Sequence, residues 1–153
     1  MLDSARGNEN EQWCVLLPCS GTEFWAVPQN TLAEIVTLHD VGQRPPEQLY
    51  WRGVTVPVLD FGHDDGSPWR EPVGGTGLVA VFLGLEGEGC NYWAMAVRGE
   101  GLAVRQISPE DVVEAPEAVL EHASAAFVLN GVTYQVPDLV ALQRRIAVSM
   151  HAA

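Results

Sequence analysis

Few side chains of this protein are of types that take part in catalysis or metal binding. The types that are missing and the spacing of those present limit the reactions that the chain could support. The 153 residues include four histidines and three cysteines, and all eight cationic side chains are arginine. Without lysine the chain can form neither a Schiff base nor a Ser–Lys dyad. The Gly74–Gly77 stretch also cannot complete a nucleotide-binding P-loop, which needs a lysine on the phosphates.

One cluster, His63-Asp64-Asp65, consists of residues that commonly bind metal ions. It lies in a Gly/Pro/Asp-rich stretch without a second ligand group at helical or strand spacing, so we interpret it as a solvated loop. No serine lies in a G-x-S-x-G elbow, and Cys14 lies in a β-like run where a small core residue is expected. We therefore predict no catalytic residue, no metal and no cofactor. A Ser/His or Cys/His enzyme with His39, His63 or His122 as base is kept as an alternative.

The overall composition is that of a globular protein with a strong negative charge. Hydrophobic residues make up 47%, charged residues 18%, and the net charge is −12. Such a chain repels nucleic acid and an anionic membrane surface. The cysteines form no C-x-x-C pair, residues 1–11 lack the apolar core of a signal peptide, and the longest aliphatic run is half a membrane span. We expect a cytoplasmic protein with no direct membrane insertion.

Most of the elements predicted by the hydrophobic pattern are β-strands. Residues 1–12 have almost nothing to bury and are predicted to be a disordered tail. Apolar runs flank Gly21 and Gly99, which predicts a hairpin at each glycine. Residues 49–59 are β-rich, with turn or bulge points predicted at Gly53 and Pro57. Leu78–Leu83 is apolar at both odd and even positions, as in a strand buried on both faces.

The helical signals are short except for the last. Thr31-x-x-Glu34 predicts a capping box, and Ser108-Pro109-Glu110-Asp111 predicts the start of a one-turn helix. Asn130-Gly131 is a type I′ turn signal. Helical spacing of apolar residues from Leu139 to Met150 predicts a C-terminal helix.

Two parts of the chain match each other. Residues 53–61 share glycine, valine, threonine, valine and aspartate with residues 131–139, and the same offset superimposes Gly21 on Gly99. This match predicts a single domain over 13–150, with two similar β subdomains at about 13–62 and 78–150. The acidic loop 62–77 separates them.

Arg52 follows Trp51 in an apolar segment, so its guanidinium must reach solvent or find a carboxylate. Glu34, next to Ile35-Val36, is the predicted partner in an ion pair at the protein surface. The alternative is that Arg52 merely lies at a strand edge.

The segments Ala26-Val27-Pro28, Leu32–Val36 and Tyr50–Asp60 together resemble the CheW-like chemotaxis coupling domain. The resemblance implies an all-β fold with a few short helices. It comprises two SH3-like five-stranded β-barrels around a shared core and a C-terminal helix. It also implies a non-catalytic cytoplasmic adaptor of two-component signalling. Such an adaptor links chemoreceptor cytoplasmic tips to the regulatory domain of a CheA-type histidine kinase.

The partner-binding residues implied by this resemblance are Glu34 and Arg52, and we add their neighbours Val36, Tyr50, Trp51 and Gly53. The chain departs from the family pattern after Asp60, where acidic residues replace the usual arginines or leucines. A small-ligand-binding β-barrel is the alternative function, suggested by the aromatic-rich hairpins. It requires an enclosed apolar pocket.

Overall fold

The computed structural model describes residues 12–62, 68–84, 91–98 and 102–152. Within these ranges the chain is mostly β, with 3₁₀ turns at Gln29–Thr31, Pro109–Asp111 and Pro116–Ala118 and one α-helix near the C-terminus. The strands are β1 Gln12–Pro18, β2 Phe24–Pro28, β3 Leu32–Leu38, β4 Gln48–Trp51, β5 Val54–Leu59, β6 Gly77–Leu83, β7 Tyr92–Val97, β8 Ala103–Ile107, β9 Val113–Glu114, β10 Ala123–Leu129 and β11 Val132–Pro137; the helix is α1 Leu139–Ala152.

The strands form two curled sheets. The six-stranded sheet has the order β8-β1-β2-β11-β10-β9, and we call it half-barrel A. The five-stranded sheet has the order β3-β6-β7-β5-β4, and we call it half-barrel B. Neighbouring strands are antiparallel except for β11 beside β2 and β5 beside β7, which are parallel.

The strands are not divided between the sheets as the subdomain ranges 13–62 and 78–150 predicted. Half-barrel B is built from the continuous run β3–β7, whereas half-barrel A combines β1 and β2 with β8–β11. The predicted hairpin around Gly99 is wrong, because β7 and β8 belong to different sheets; Gly99 itself lies outside the described residues. An alternating apolar pattern specifies which face of a strand is buried, but it does not specify the neighbouring strand.

The internal sequence match corresponds to a structural equivalence between two hairpins. The turn Arg52-Gly53 between β4 and β5 has φ values of 46° and 82°, and the turn Asn130-Gly131 between β10 and β11 has 51° and 79°. Positive φ at both central residues is the type I′ geometry that suits the twist of a two-residue hairpin. The predicted turns at Gly53 and at Asn130-Gly131 are therefore confirmed. The turn or bulge point predicted at Pro57 is wrong, because Pro57 lies within β5 in regular register with Gln48 of β4.

A shared core lies between the two sheets. On β6, Val79 and Val81 face the interior of half-barrel B, while Ala80 and Phe82 join the shared core. The prediction of a strand buried on both faces is confirmed for this central part of β6. The helix α1 contributes Leu142 and Ile146 to the shared core. Burial of each such side chain stabilises the fold by about 1.5–3 kcal/mol.

The two predicted helical starts have different outcomes. At Ser108–Asp111 a single 3₁₀ turn is present, and it carries a capping box in which Ser108 Oγ donates to Asp111 Oδ2 at 3.0 Å. The capping box predicted at Thr31–Glu34 is wrong: the 3₁₀ turn ends at Thr31, and Glu34 already lies in β3. Pairing of β3 with β6 prevails over the local helical preference. Of the predicted tail, residues 1–11 lie outside the described residues, and Gln12 already belongs to β1.

Candidate functional site

Three of the predicted site residues meet through one carboxylate oxygen. Glu34 Oε1 accepts a hydrogen bond from Arg52 Nη2 at 2.9 Å and another from Trp51 Nε1 at 3.1 Å. Glu34 lies on β3, and Trp51 ends β4, so the carboxylate connects the two opposite edges of half-barrel B. The predicted Glu34–Arg52 ion pair is confirmed. We call this group the seam contact.

The seam contact presents a positioned charge at the surface. The guanidinium carbon of Arg52 lies 4.8 Å from the centroid of the Trp51 ring, and Trp51 packs edge-on against Tyr92 at 5.0 Å. Trp51 is 7% exposed, whereas the Arg52 side chain is 67% exposed. An exposed ion pair and an exposed cation–π contact each contribute about 1 kcal/mol or less. The arrangement therefore orients the guanidinium while adding little to the free energy of unfolding.

The other predicted site residues lie in different environments. Tyr50 is 77% exposed, and Gly53 is also exposed at the tip of the hairpin. Val36 is half-buried and lies beneath the surface, where it packs against the buried side chains inside half-barrel B. We call these side chains the inner cluster of half-barrel B; they are Leu49, Trp51, Val56, Trp69, Val79, Val81, Ala94 and Ala96. Val54, which was not predicted, adds an exposed apolar side chain beside the turn.

A groove that the sequence interpretation missed runs between the two sheets. It has a volume of about 430 Å³ and is lined mainly by Leu32–Ile35 of β3 and by Leu102–Val104 at β8. Glu34 lines this groove as well as forming the seam contact. Val104 of β8 lines the groove and is 53% exposed. The sequence carries no signal for this groove, because its pattern predicts a hairpin of β7 with β8, whereas the topology places β8 at the edge of the other sheet.

A second ion pair, Asp60–Arg98, was also missed. Arg98 Nη1 lies 2.6 Å from Asp60 Oδ1 and donates to the carbonyl oxygen of Cys19 at 3.2 Å. The two charged side chains are only 10% and 19% exposed. Asp60 follows β5 and Arg98 follows β7, both in half-barrel B, and Cys19 follows β1 in half-barrel A. The bond from Arg98 to Cys19 therefore connects this ion pair to the other half-barrel. The signal was a carboxylate placed directly after an apolar strand, because a buried charge needs a partner.

The contacts of those histidines and cysteines that the structure describes give no support to the enzyme alternative. His122 Nε2 lies 2.6 Å from Glu23 Oε2, a carboxylate that also accepts from Trp25 Nε1 at 2.8 Å. His39 is exposed, and His63 lies outside the described residues together with the rest of the His63-Asp64-Asp65 cluster. In the ranges that the structure describes, no group of three metal-ligating side chains occurs.

The described thiols are poorly suited to nucleophilic attack. Burial raises the pKa of the Cys14 thiol. Burial, with the Glu23 carboxylate as a second cause, raises the pKa of the Cys19 thiol well above its ordinary value. Both thiols are therefore protonated at neutral pH, and the thiol is the unreactive form.

The interior of half-barrel B is filled by side chains. Trp69 is 4% exposed, and its Nε1 donates to the carbonyl oxygen of Leu78 at 2.8 Å. A Cβ atom on Gly77 would lie 2.2 Å from Trp69 Cζ2, so only glycine leaves room for the indole. A small-molecule pocket inside this sheet would have to displace Trp69. This observation counts against a ligand pocket inside half-barrel B.

The comparisons with known proteins give a match in structure alone. No protein-family model matches the chain, and no curated protein matches it by sequence. The chain is similar to the scaffolding protein TtCheW from Thermoanaerobacter tengcongensis, with a TM-score of 0.58 and 13% identity over 84% of each chain. The chain therefore has a CheW-like fold, and the prediction of two SH3-like subdomains, a shared core and a C-terminal helix is confirmed. None of the described helices is both long and apolar enough to span a membrane.

Proposed function

We propose that this chain is a non-catalytic chemosensory adaptor. In this role it links the cytoplasmic tips of chemoreceptors to the regulatory domain of a CheA-type histidine kinase, and it acts in the cytoplasm. The observation that supports this proposal most is the seam contact, which holds an exposed arginine in a fixed position on a CheW-like fold. The contacts of the described histidines and cysteines, by comparison, suggest no reaction.

The surface around the seam contact suits the kinase domain. Tyr50 and Arg52 are 77% and 67% exposed, and Val54 is 41% exposed beside them. Tyrosine and arginine are enriched among the residues that dominate protein–protein binding energy. The type I′ turn and the contact with Glu34 limit the conformations of Arg52 before binding, which lowers the entropic cost of association.

The groove between β3 and β8 suits the receptor. A mainly apolar channel bordered by two sheet edges is a surface on which an amphipathic helix can lay its apolar face. Since Glu34 belongs both to the groove and to the seam contact, a helix in the groove changes the surroundings of Arg52. Binding of one partner is thereby coupled to binding of the other without a chemical step.

The experiment is a binding titration of the full chain with the kinase regulatory domain, repeated with Arg52→Ala and with Arg105→Ala. Arg105 is an exposed arginine on β8 and is the matched control. We expect Arg52→Ala to weaken binding about tenfold and Arg105→Ala to change it by less than about twofold. Failure of the wild-type chain to bind both the kinase domain and a receptor tip would refute the proposal, as would equal effects of the two variants.

A further inference from the structure

The two half-barrels contain equivalent hairpins, β4–β5 and β10–β11, but the segments that follow these hairpins differ. In half-barrel B, β5 is followed by a long segment that contributes Trp69 to the inner cluster. In half-barrel A, the equivalent strand β11 is followed at once by α1. Among the described residues, half-barrel A has no segment after β11 that corresponds to the one carrying Trp69 in half-barrel B.

The inner clusters reflect this difference. The internal match equates Leu49 with Phe127 and Val56 with Tyr134, and in each pair the residue of half-barrel A is the less buried one. In the described part of the chain, eight buried residues form the inner cluster of half-barrel B, but only three form that of half-barrel A. The described side chains thus fill the interior of half-barrel A less completely than that of half-barrel B.

An apolar groove of about 270 Å³ marks the unfilled end. It is just below the range of pockets for drug-sized ligands, about 300–1,000 Å³, and has room for one large side chain. Its lining is mostly apolar and comes from several elements, among them Cys14, Ala26, Ile107, Val112 and Phe127. Ile107, Val112 and Phe127 also pack against the inner cluster, so the groove leads into the interior of half-barrel A.

One side of this groove borders an acidic stretch of chain, and the exposed Arg105 of β8 is the strand partner of the lining residue Cys14. Ser108, Pro109 and Val112 line the groove, and they begin the acidic stretch, 108–121, that contains no lysine or arginine. The exposed carboxylates of this stretch are Glu110, Asp111, Glu114, Glu117 and Glu121. Val113, between two of them, is 69% exposed. Such a surface attracts a cationic partner and repels an acidic one.

We propose that the groove of half-barrel A receives one aromatic side chain from a basic segment of a protein partner. The aromatic ring completes half-barrel A as Trp69 completes half-barrel B. Arginine or lysine residues on either side of it pair with the carboxylates of the acidic stretch 108–121. This site is separate from the seam contact, and the proposal does not depend on the identity of a kinase or a receptor.

The test uses the isotope-labelled full chain and two synthetic peptides. Both peptides are rich in arginine; one has a central tryptophan and the other has alanine at that position. We expect the tryptophan peptide to bind about tenfold more tightly and to shift the amide resonances of Ile107, Val112 and Phe127. Equal binding of the two peptides, shifts confined to the Tyr50–Val54 hairpin, or no binding of either peptide would overturn the proposal.

Two variants separate the apolar from the electrostatic contribution. Cys14→Leu partly fills the groove, and we expect the preference for the tryptophan peptide to fall to less than about twofold. Glu110→Gln combined with Glu114→Gln should weaken both peptides about threefold in dilute salt and have no effect at high salt. If Cys14→Leu does not fold, the wild-type comparison and the glutamate variants decide the question. A tryptophan preference that persists in a folded Cys14→Leu protein contradicts the proposed position of the ring.

Discussion

Two arginine–carboxylate pairs in this molecule have the same chemistry and different surroundings. The seam contact Glu34–Arg52 is 39% and 67% exposed, while Asp60–Arg98 is 19% and 10% exposed. Arg52 and Asp60 belong to the same short run of sequence, Arg52–Asp60, yet each pairs with a residue elsewhere in the chain. The comparison indicates that burial decides what an ion pair does: the buried pair joins the half-barrels, and the exposed pair presents a charge to a partner.

The largest expected effect comes from breaking the buried pair. Asp60→Asn leaves the Arg98 charge among buried groups without its carboxylate, so we expect the free energy of unfolding to fall by about 3 kcal/mol. Denaturant unfolding of the purified chain measures this effect. Glu34→Gln is the matched isosteric control and should cost less than about 1 kcal/mol. Equal losses for the two variants would contradict the distinction between the pairs.

A smaller loss of stability is expected from crowding the interior of half-barrel B. In Gly77→Ala the new methyl group overlaps the Trp69 ring, and we expect a loss of about 2 kcal/mol in the free energy of unfolding. Gly74→Ala is the control, since its nearest non-neighbouring atom would lie 3.6 Å away. Thermal unfolding of both variants is the measurement. Similar midpoints would show that Trp69 is not tightly packed.

The seam contact is expected to affect binding more than stability. Arg52→Ala removes the exposed guanidinium and its contact with Trp51, so the free energy of unfolding should change by about 1 kcal/mol or less. Binding to the kinase regulatory domain should weaken about tenfold. Parallel unfolding and binding titrations on one preparation test this difference. A stability loss as large as that of Asp60→Asn would make Arg52 a structural residue.

The smallest effect concerns the pH dependence of stability at Cys19, whose carbonyl oxygen accepts a hydrogen bond from Arg98. The Cys19 pKa is raised well above the ordinary value of 9.0 in the folded chain. The unfolded thiol therefore ionises first as the pH rises, and stability present below pH 9 decreases above it. Comparing Cys19→Ala with the wild type between neutral pH and pH 10 isolates this contribution. A wild-type stability that declines no more steeply than that of Cys19→Ala would contradict it.

Local features were the predictable part of this protein. The type I′ turn at Asn130-Gly131, the C-terminal helix and the doubly buried β6 follow from residue type and spacing, which act over a few residues. The Glu34–Arg52 pair is predictable because a charge beside an apolar run needs a partner, and Glu34 is a carboxylate that lies next to the apolar Ile35-Val36. Whether the site residues bind a partner stays a prediction.

The sequence by itself determined that the chain is β-rich, that two of its hairpins are equivalent, and which turns carry glycine. Only the tertiary structure decided that β1 and β2 complete the C-terminal half-barrel, that Asp60 meets Arg98, and that grooves lie beside β8. The physical reason is that turn geometry and strand alternation are local, whereas strand pairing is chosen among distant segments by how well their apolar faces pack together.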